Sequence, residues 1–350
     1  MFQDLTSDSG VGIDSVNAAS ALWSAGLPGW EAAGLPNAGQ DEPYIHHFPD
    51  GNASIARQLV RKMCPEVAEG DSMEDLITAN FDYSKLDLQG APVRIKLNST
   101  VVNVQNAGVK STGSGITATY LCDGQAHRVK AGAAILACNN AAIPFLCDEL
   151  PEKQREALAM QVKVPILYTN VALRNWIAWK KLGVGALVCP GSYHINASLD
   201  FPVSFGKYQF AKKPDEPVVV HMERFPHRSN EGLTPKEQFR LGRHELANTS
   251  FETIERNVRT QLAGMLGPGG FDPARDIAGI TVNRWAHGYS YWYRSLFDKE
   301  YDDGNDPRYP HMIAREGYGQ ITIANADSGA NAMMETAIEQ AYRAVTELLG

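Results

Sequence analysis

The amino-acid sequence predicts an α/β (α+β) fold, and three stretches carry that expectation. In the closing ITIANADSGANAMMETAIEQAYRAVTELL, Ile321 and Ile323 alternate as in a strand, and a small polar loop follows from Asn325 to Asn331. Met334, Ile338, Ala341, Val345 and Leu348 then recur at helical spacing. The second stretch is the short apolar run Ala133 to Ala137, which reads as a strand buried on both faces. The third lies within 166–225, where ILYTNVALRNW, VSFGKYQF and PVVVHMERF alternate as strands.

Taken in chain order, residues 10–45 are rich in Gly, Ala and Pro, with GLPGW and GLPNAG as turn signals and room for one short helix near Val16 to Ser24. Pro49-Asp50-Gly51 is turn chemistry, and Asn52 is placed to cap a helix over Ala53 to Met63. Ile55, Leu59 and Met63 line one face of that helix, and Pro65 follows its end. VRIKLN, STVVNVQNAG, GITATYLCDG and AHRVKAGAAILAC read as strands separated by glycine turns. NNAAIPFL then leads the chain off the end of the apolar strand, where open α/β sheets bind ligands. Residues 151–165 begin helical and stop at Pro165. NTSFETIERNVRTQLAGMLG is a long amphipathic helix with Phe251, Ile254, Val258 and Leu262 on one face and Gly267 beyond its end. DIAGITVNRW is a further strand, followed by the aromatic cluster WAHGYSYWY.

The 350 residues suffice for two domains or one large one. Hydrophobic residues at 44% and charged residues at 21% are ordinary for a soluble globular chain. The net charge of −8 argues against nucleic acid or an anionic membrane as the main partner. The five cysteines form neither a CxxC pair nor a CxxCH haem-attachment pattern, so they read as buried thiols. No apolar run approaches the roughly 18 residues of a transmembrane span. The start, MFQDLTSDSG, is polar and acidic, unlike a secretory leader, so a soluble protein of the cytoplasm or periplasm is expected. His221, His227 and His244 lack metal-ligand spacing, and no metal site is expected.

GSGITA, Gly113 to Ala118, matches G-x-G-x-x-A, but a strand-like run follows it where the dinucleotide fingerprint needs a helix. It reads as a hairpin turn, and no other stretch supplies a phosphate-binding loop. The helix N-terminus after Asn331 is a ready anion site. Asp327 in its loop repels phosphate, so that terminus is expected to face another group.

HHFPDGNASIARQLVR, NRWAHGYSYWYRSLFD and ITIANADSGANAMMETAIEQAYRAV, in that order, resemble the spermidine dehydrogenase group of FAD-dependent amine oxidoreductases. The resemblance covers most of the chain. It implies an FAD/NAD(P)-binding domain lacking its first βαβ unit, since the family begins with a G-x-G-x-x-G unit that this sequence does not contain. That domain would be interleaved with a substrate domain built on an antiparallel sheet. The implied division is 1–45 as a loop-rich segment on the substrate side, 46–147 as FAD-binding, 148–309 as mainly substrate domain and 310–350 as the closing FAD-binding unit.

The resemblance also implies roles. Ala324-Asn325-Ala326-Asp327 stands where the family has A-G-x-E, and Met334-Glu335-Thr336-Ala337 where it has M-E-G-A. Asp327 would then lie beside the ribityl–pyrophosphate part of non-covalently bound FAD. The helix N-terminus would face the flavin ring, whose reduced form is anionic. Asn325 and Thr336 replace glycines of the family pattern. Val101 takes the adenine-contact position, and Thr169 stands where many amine oxidases hold a lysine near flavin N5. A haem is admitted by the family and indicated by no pattern here.

His287, Tyr289, His47 and Asp50 are the catalytic candidates, with Asp50 also able to anchor an ammonium or merely to set its turn. Trp285 and Tyr291 are the candidate substrate wall, because alternation would put Trp285, His287, Tyr289 and Tyr291 on one face, and aromatic walls suit cationic amines. The expected activity is oxidation of a small amine, a polyamine such as spermidine, with an undetermined electron acceptor. Two alternatives stay open: a non-catalytic remnant or scaffold domain, and a same-fold flavoprotein with a different substrate.

Overall fold

A computed structural model describes residues 10–18, 32, 34, 48, 50–108, 115–200 and 203–350. The strands are β1 Thr100–Asn106, β2 Ile116–Cys122, β3 Gln125–Ala131, β4 Ala134–Leu136, β5 Ile166–Leu173, β6 Ala186–Val188, β7 Asn196–Leu199, β8 Val218–Arg224, β9 Ile277–Trp285 and β10 Ile321–Ile323. The main helices are α1 Ala53–Met63, α2 Glu152–Ala159, α3 Pro235–Asn248, α4 Phe251–Leu266 and α5 Met334–Leu349. β1, β2 and β3 form an antiparallel meander. β4 and β10 pair in parallel, with Ile321 opposite Ala134 and Ile323 opposite Leu136. The remaining strands form an antiparallel sheet in the order β6-β7-β8-β5-β9.

That five-stranded sheet has two unlike faces. Leu167, Val171 and Leu173 of β5 and Val220 and Met222 of β8 are buried against Ile254, Val258 and Leu262 of α4. Period-two alternation sends their neighbours to the other side. The register therefore gathers Tyr168 and Asn170, Asn196 and Ser198, His221 and Glu223, and Thr281 and Asn283 on the opposite face. A second core joins Val104, Ile116, Leu136, Ile143 and Leu158 to Ile321 and Ile323, so the closing strand packs with the middle of the chain.

A strand, Ile116–Cys122, does follow the Gly113 motif where a dinucleotide fingerprint would need a helix, and it pairs with strands on both sides; the turn itself lies outside the described residues. Other expectations are corrected. VRIKLN is not a strand: Arg94 and Lys96 both bond Asp87, and Ile95 N donates to Leu86 O, so the alternating residues never join a ladder. VSFGKYQF forms only an isolated bridge between Phe205 and Tyr208. α3 was not anticipated, although its start is written locally: Thr234 and Glu237 form a capping box with Pro235 in the first turn. Asn52 makes no side-chain cap, and Asp50 braces α1 instead by bonding Ser54 and Arg57. Most of the proposed helix near Val16 to Ser24 lies outside the described residues.

α5 forms where its periodicity predicts, but its apolar stripe faces outward. Thr336, Gln340 and Ala344 are its buried residues, whereas Ile338, Tyr342, Val345 and Leu349 are exposed. The inner side is held by polar groups. Gln340 Oε1 accepts from Arg343 Nε at 2.8 Å and Arg315 Nη1 at 3.3 Å, and Arg343 also donates to Ile323 O.

α3 crosses close to the chain leaving β8 at Gly242, where an added Cβ would lie 2.1 Å from Pro226 O. Backbone cannot yield as a side-chain tip can. Gly242→Ala is therefore expected to destabilise the chain by about 1–3 kcal/mol, the range of overpacked cores. Urea melts of the two proteins check this, and equal midpoints and slopes would contradict it.

Candidate active site

The site is built where β4 and β10 end. Asn325 follows β10, and its Nδ2 donates to Cys138 O and to Asn140 Oδ1 at 2.8 Å, while its Oδ1 accepts from Ser328 N at 2.9 Å. Cys138 and Asn140 lie just past β4, so one side chain ties together the ends of both parallel strands.

Asp327 comes next, and its carboxylate is fully buried. Oδ1 accepts from Ser290 Oγ at 2.7 Å and lies 3.0 Å from Lys163 Nζ, and Oδ2 accepts from Asn140 N at 3.1 Å. Gln161 Nε2 donates to the Asp327 carbonyl at 2.5 Å, and Gln161 Oε1 accepts from Asn140 Nδ2. A buried carboxylate is tolerable only when paired and hydrogen-bonded in this manner.

From Asp327 a line of contacts runs onto the polar face of the large sheet. Ser290 follows Tyr289, whose hydroxyl lies 2.9 Å from that of Tyr168. This approach needs Gly288, where a Cβ would sit 2.5 Å from Ile166 Cδ1 and 2.8 Å from Val164 O. Gly288 N donates to Val164 O at 2.9 Å, and Val164 N to Tyr289 O at 3.1 Å. Tyr168 meets His221 edge-on, with ring centroids 5.0 Å apart. His221 Nδ1 is 2.7 Å from Asn170 Oδ1, and its Nε2 is 3.4 Å from Glu223 Oε1. Glu223 Oε2 accepts from Asn196 Nδ2 at 2.7 Å.

Burial opposes ionisation of Glu223, but its bonds to His221 and Asn196 outweigh that and hold it below the usual carboxylate range. Partial burial, then the nearby Arg243 and Lys163 cations, depress His287, so its imidazole stays neutral at lower pH than a free one. A neutral imidazole and two facing phenols beside a buried acid can accept protons and present an aromatic wall.

Among the candidates from sequence, Asp327, Asn325 and Tyr289 come together. His287 lies exposed on the turn beyond β9, and Trp285, at the end of that strand, is 54% exposed. The expected alternation stops at Trp285 because the strand ends there. Tyr291 is consequently a core residue: it is 3% exposed, donates to Asp298 and packs edge-on against Phe239. Asp50 is engaged by Ser54 and Arg57 at the head of α1, and His47 lies outside the described residues. Val101 is exposed on β1 opposite Tyr120.

Met334, Glu335, Thr336 and Ala337 form the first turn of α5. Met333 precedes them without a side-chain cap, and Thr336 Oγ1 accepts from Asn331 Nδ2 at 3.1 Å. Thr169 is fully buried on the helix-facing side of β5, 3.0 Å from His194 Nε2, and so does not look onto the polar face.

Sequence reasoning missed Lys163, Gln161, Asn140, Ser290, His221 and Glu223. One signal was available: His221 and Glu223 are two apart in an alternating strand whose intervening residues are apolar, which assigns both to one polar face. Among the described residues no cluster of metal-ligating side chains assembles, and no helix is long and apolar enough to cross a membrane.

A family profile described as "Flavin containing amine oxidoreductase" matches residues 82–349. A comparison with curated proteins found no match. Among solved structures, the chain is similar to a mutant putrescine oxidase from a redesign of cofactor binding, at 17% identity and a TM-score of 0.48, covering 74% of this chain and 50% of that one. It is similar to wild-type putrescine oxidase bound to putrescine at 18% identity and a TM-score of 0.45, covering 72% and 48%. For cyclohexylamine oxidase from Brevibacterium oxydans IH-35A the values are 14% identity, a TM-score of 0.44, and 71% and 47% coverage. The chain thus spans about half the length of these structures.

The Asp327 cluster yields a stability prediction. Asp327→Ala leaves Lys163 charged and Ser290 and Asn140 N–H without their acceptor, and should cost about 3–5 kcal/mol. Adding Lys163→Met should recover part of that loss, because no unpaired charge then stays buried. Denaturant melts of the two single mutants and the double mutant measure the coupling; strictly additive losses would deny it.

Proposed function

The chain belongs to the flavin-containing amine oxidoreductases, and we propose that it carries the substrate-binding and flavin-facing parts of an FAD-dependent enzyme that oxidises a C–N bond of an amine, a polyamine such as spermidine. The observation that carries this reading is the fully buried Asp327 at the end of the parallel strands, joined through Ser290 to the Tyr289–Tyr168 wall.

The residues fit one side of a flavin. Asp327 and Asn325 would sit by the ribityl chain, and the first turn of α5, which has no side-chain cap, offers the backbone N–H groups of Met334 to Thr336 and a positive dipole end. They do not supply the diphosphate side, because the sequence has no G-x-G-x-x-G loop. We assign that role to a βαβ segment beyond these 350 residues. The outward apolar stripe of α5 and the exposed Ile135 of β4 support it, since parallel sheets are stable when both faces are covered.

Bound flavin supplies the two-electron acceptor for the C–N bond. The chain's own part is to orient the amine against Tyr289 and Tyr168 and to take a proton from its ammonium at the neutral His287 imidazole. The outward stripe of α5 also favours the second reading, a non-catalytic interaction domain. The absorbance of the chain with added FAD, followed during amine addition, separates the two: bleaching supports the enzyme, and an unperturbed spectrum supports the interaction domain.

Two results are expected. This chain should lose FAD on extensive dialysis, and retention of stoichiometric yellow cofactor would contradict the assignment of the diphosphate loop elsewhere. At saturating FAD, Tyr289→Phe and His287→Gln should slow flavin reduction by amine by about ten- to a thousandfold, with melting temperatures nearly unchanged. Stopped-flow bleaching and thermal melts of the same samples measure both, and unchanged reduction rates would remove these residues from the site.

A further inference from the structure

We propose that Arg243 of α3 is a positioning residue for the reacting end of the site: its guanidinium fills a β-bulge in the chain leaving β9, and so fixes where Tyr289 stands against Tyr168 and which charge the His287 imidazole meets. The inference rests on the amine-oxidising reading and adds a residue to that site.

The bulge begins with a proline. The ladder of β9 on β5 ends with Trp285 opposite Ile166. The next residue on the β5 side is Pro165, which has no N–H to donate. Pairing resumes only at Val164, whose O accepts from Gly288 N at 2.9 Å and whose N donates to Tyr289 O at 3.1 Å. One residue, Pro165, thus opposes two, Ala286 and His287, an arrangement that bends a strand and re-aims the side chains beyond it.

The gap is closed from α3. Gly242 lets this helix sit directly over the bulge, because an added Cβ would lie 2.1 Å from Pro226 O and 3.0 Å from Pro165 Cγ. The next residue, Arg243, donates through Nε to Ala286 O at 2.9 Å and through Nη2 to Lys163 O at 3.3 Å. These carbonyls belong to the peptides Ala286–His287 and Lys163–Val164, one on each side of the bulge. The planar fork of a guanidinium holds both in a fixed geometry. Losing it would loosen the Val164 bonds that keep the Tyr289 hydroxyl 2.9 Å from that of Tyr168.

The guanidinium also places a charge beside His287. That imidazole faces three charged groups: Arg243 from α3, Lys163 from the segment before β5 and Asp327 from the closing loop. Partial burial, then the two cations, lower its pKa, and the Asp327 carboxylate opposes them. Without Arg243 one cation is left against one anion, and the imidazole should hold its proton to higher pH. A residue that merely braced the backbone would leave that titration where it is.

The test is a proton NMR titration of the imidazoles of the purified chain, with the His287 signal identified by its loss in His287→Gln. Amide hydrogen exchange is followed beside it, for the wild type, Arg243→Gln and Arg243→Lys. Arg243→Gln should move the His287 titration to higher pH. It should also speed exchange of the Val164 and Gly288 amides by about ten- to a hundredfold, the worth of one charge-assisted hydrogen bond. Arg243→Lys should return the titration toward that of the wild type. An unmoved titration or unmoved exchange in a folded Arg243→Gln would overturn the proposal. If that variant does not fold, the wild type alone decides. Raising salt from about 0.1 M to about 1 M shortens the screening length from about 10 Å to about 3 Å and should raise the His287 pKa, and an unchanged value would overturn the proposal. Neither measurement uses flavin or amine. Shifted titration and exchange without bleaching by any amine would sink the oxidase reading and leave the role of Arg243 standing, whereas bleaching with both unmoved would do the reverse.

Discussion

Asp327 holds a carboxylate out of water, and removing a carboxylate's hydration costs several kcal/mol unless other groups replace it. The replacements come from three distant parts of the chain: Asn140 after β4, Lys163 before β5 and Ser290 after β9. Satisfying one charge therefore fixes where the parallel strand pair, the large antiparallel sheet and the aromatic segment meet. Gln161 and Asn325 extend the constraint to the backbone on either side. These polar groups satisfy one another, and that constrains the geometry of the site.

The large sheet owes its function to being apolar on one face only. α4 and its neighbours cover the side carrying Leu167, Val171 and Met222, whereas the middle of the alternate face carries Tyr168, Asn170, His221 and Glu223. The middle of that face is left polar. Tyr168 belongs to this face and Thr169 to the other, although they adjoin in sequence. A one-residue difference decides whether a side chain can meet a substrate.

The closing helix shows the converse arrangement. Its polar side is tied down by Arg315 and Arg343, and its apolar side is turned out. Amphipathic periodicity specifies that a helix will bury a stripe against something, without saying whether that partner lies in the same stretch of chain.

Much of the architecture was legible because it is written locally. α4, β5, β8 and β9 follow from apolar spacing, and the closing strand–loop–helix from its small polar loop. Asp327 stood out through the resemblance of its segment to a family pattern. VRIKLN misled because alternation marks an extended chain, and only a partner with free backbone groups makes it a strand. Lys163 and Ser290 were not legible, since ordinary lysines and serines carry no local mark of their partners. The sequence by itself determined which segments would be helical or extended and which loop held an acid. The tertiary structure decided which groups meet that acid, from positions as far as 187 residues away, because electrostatic pairing and burial depend on distance in space.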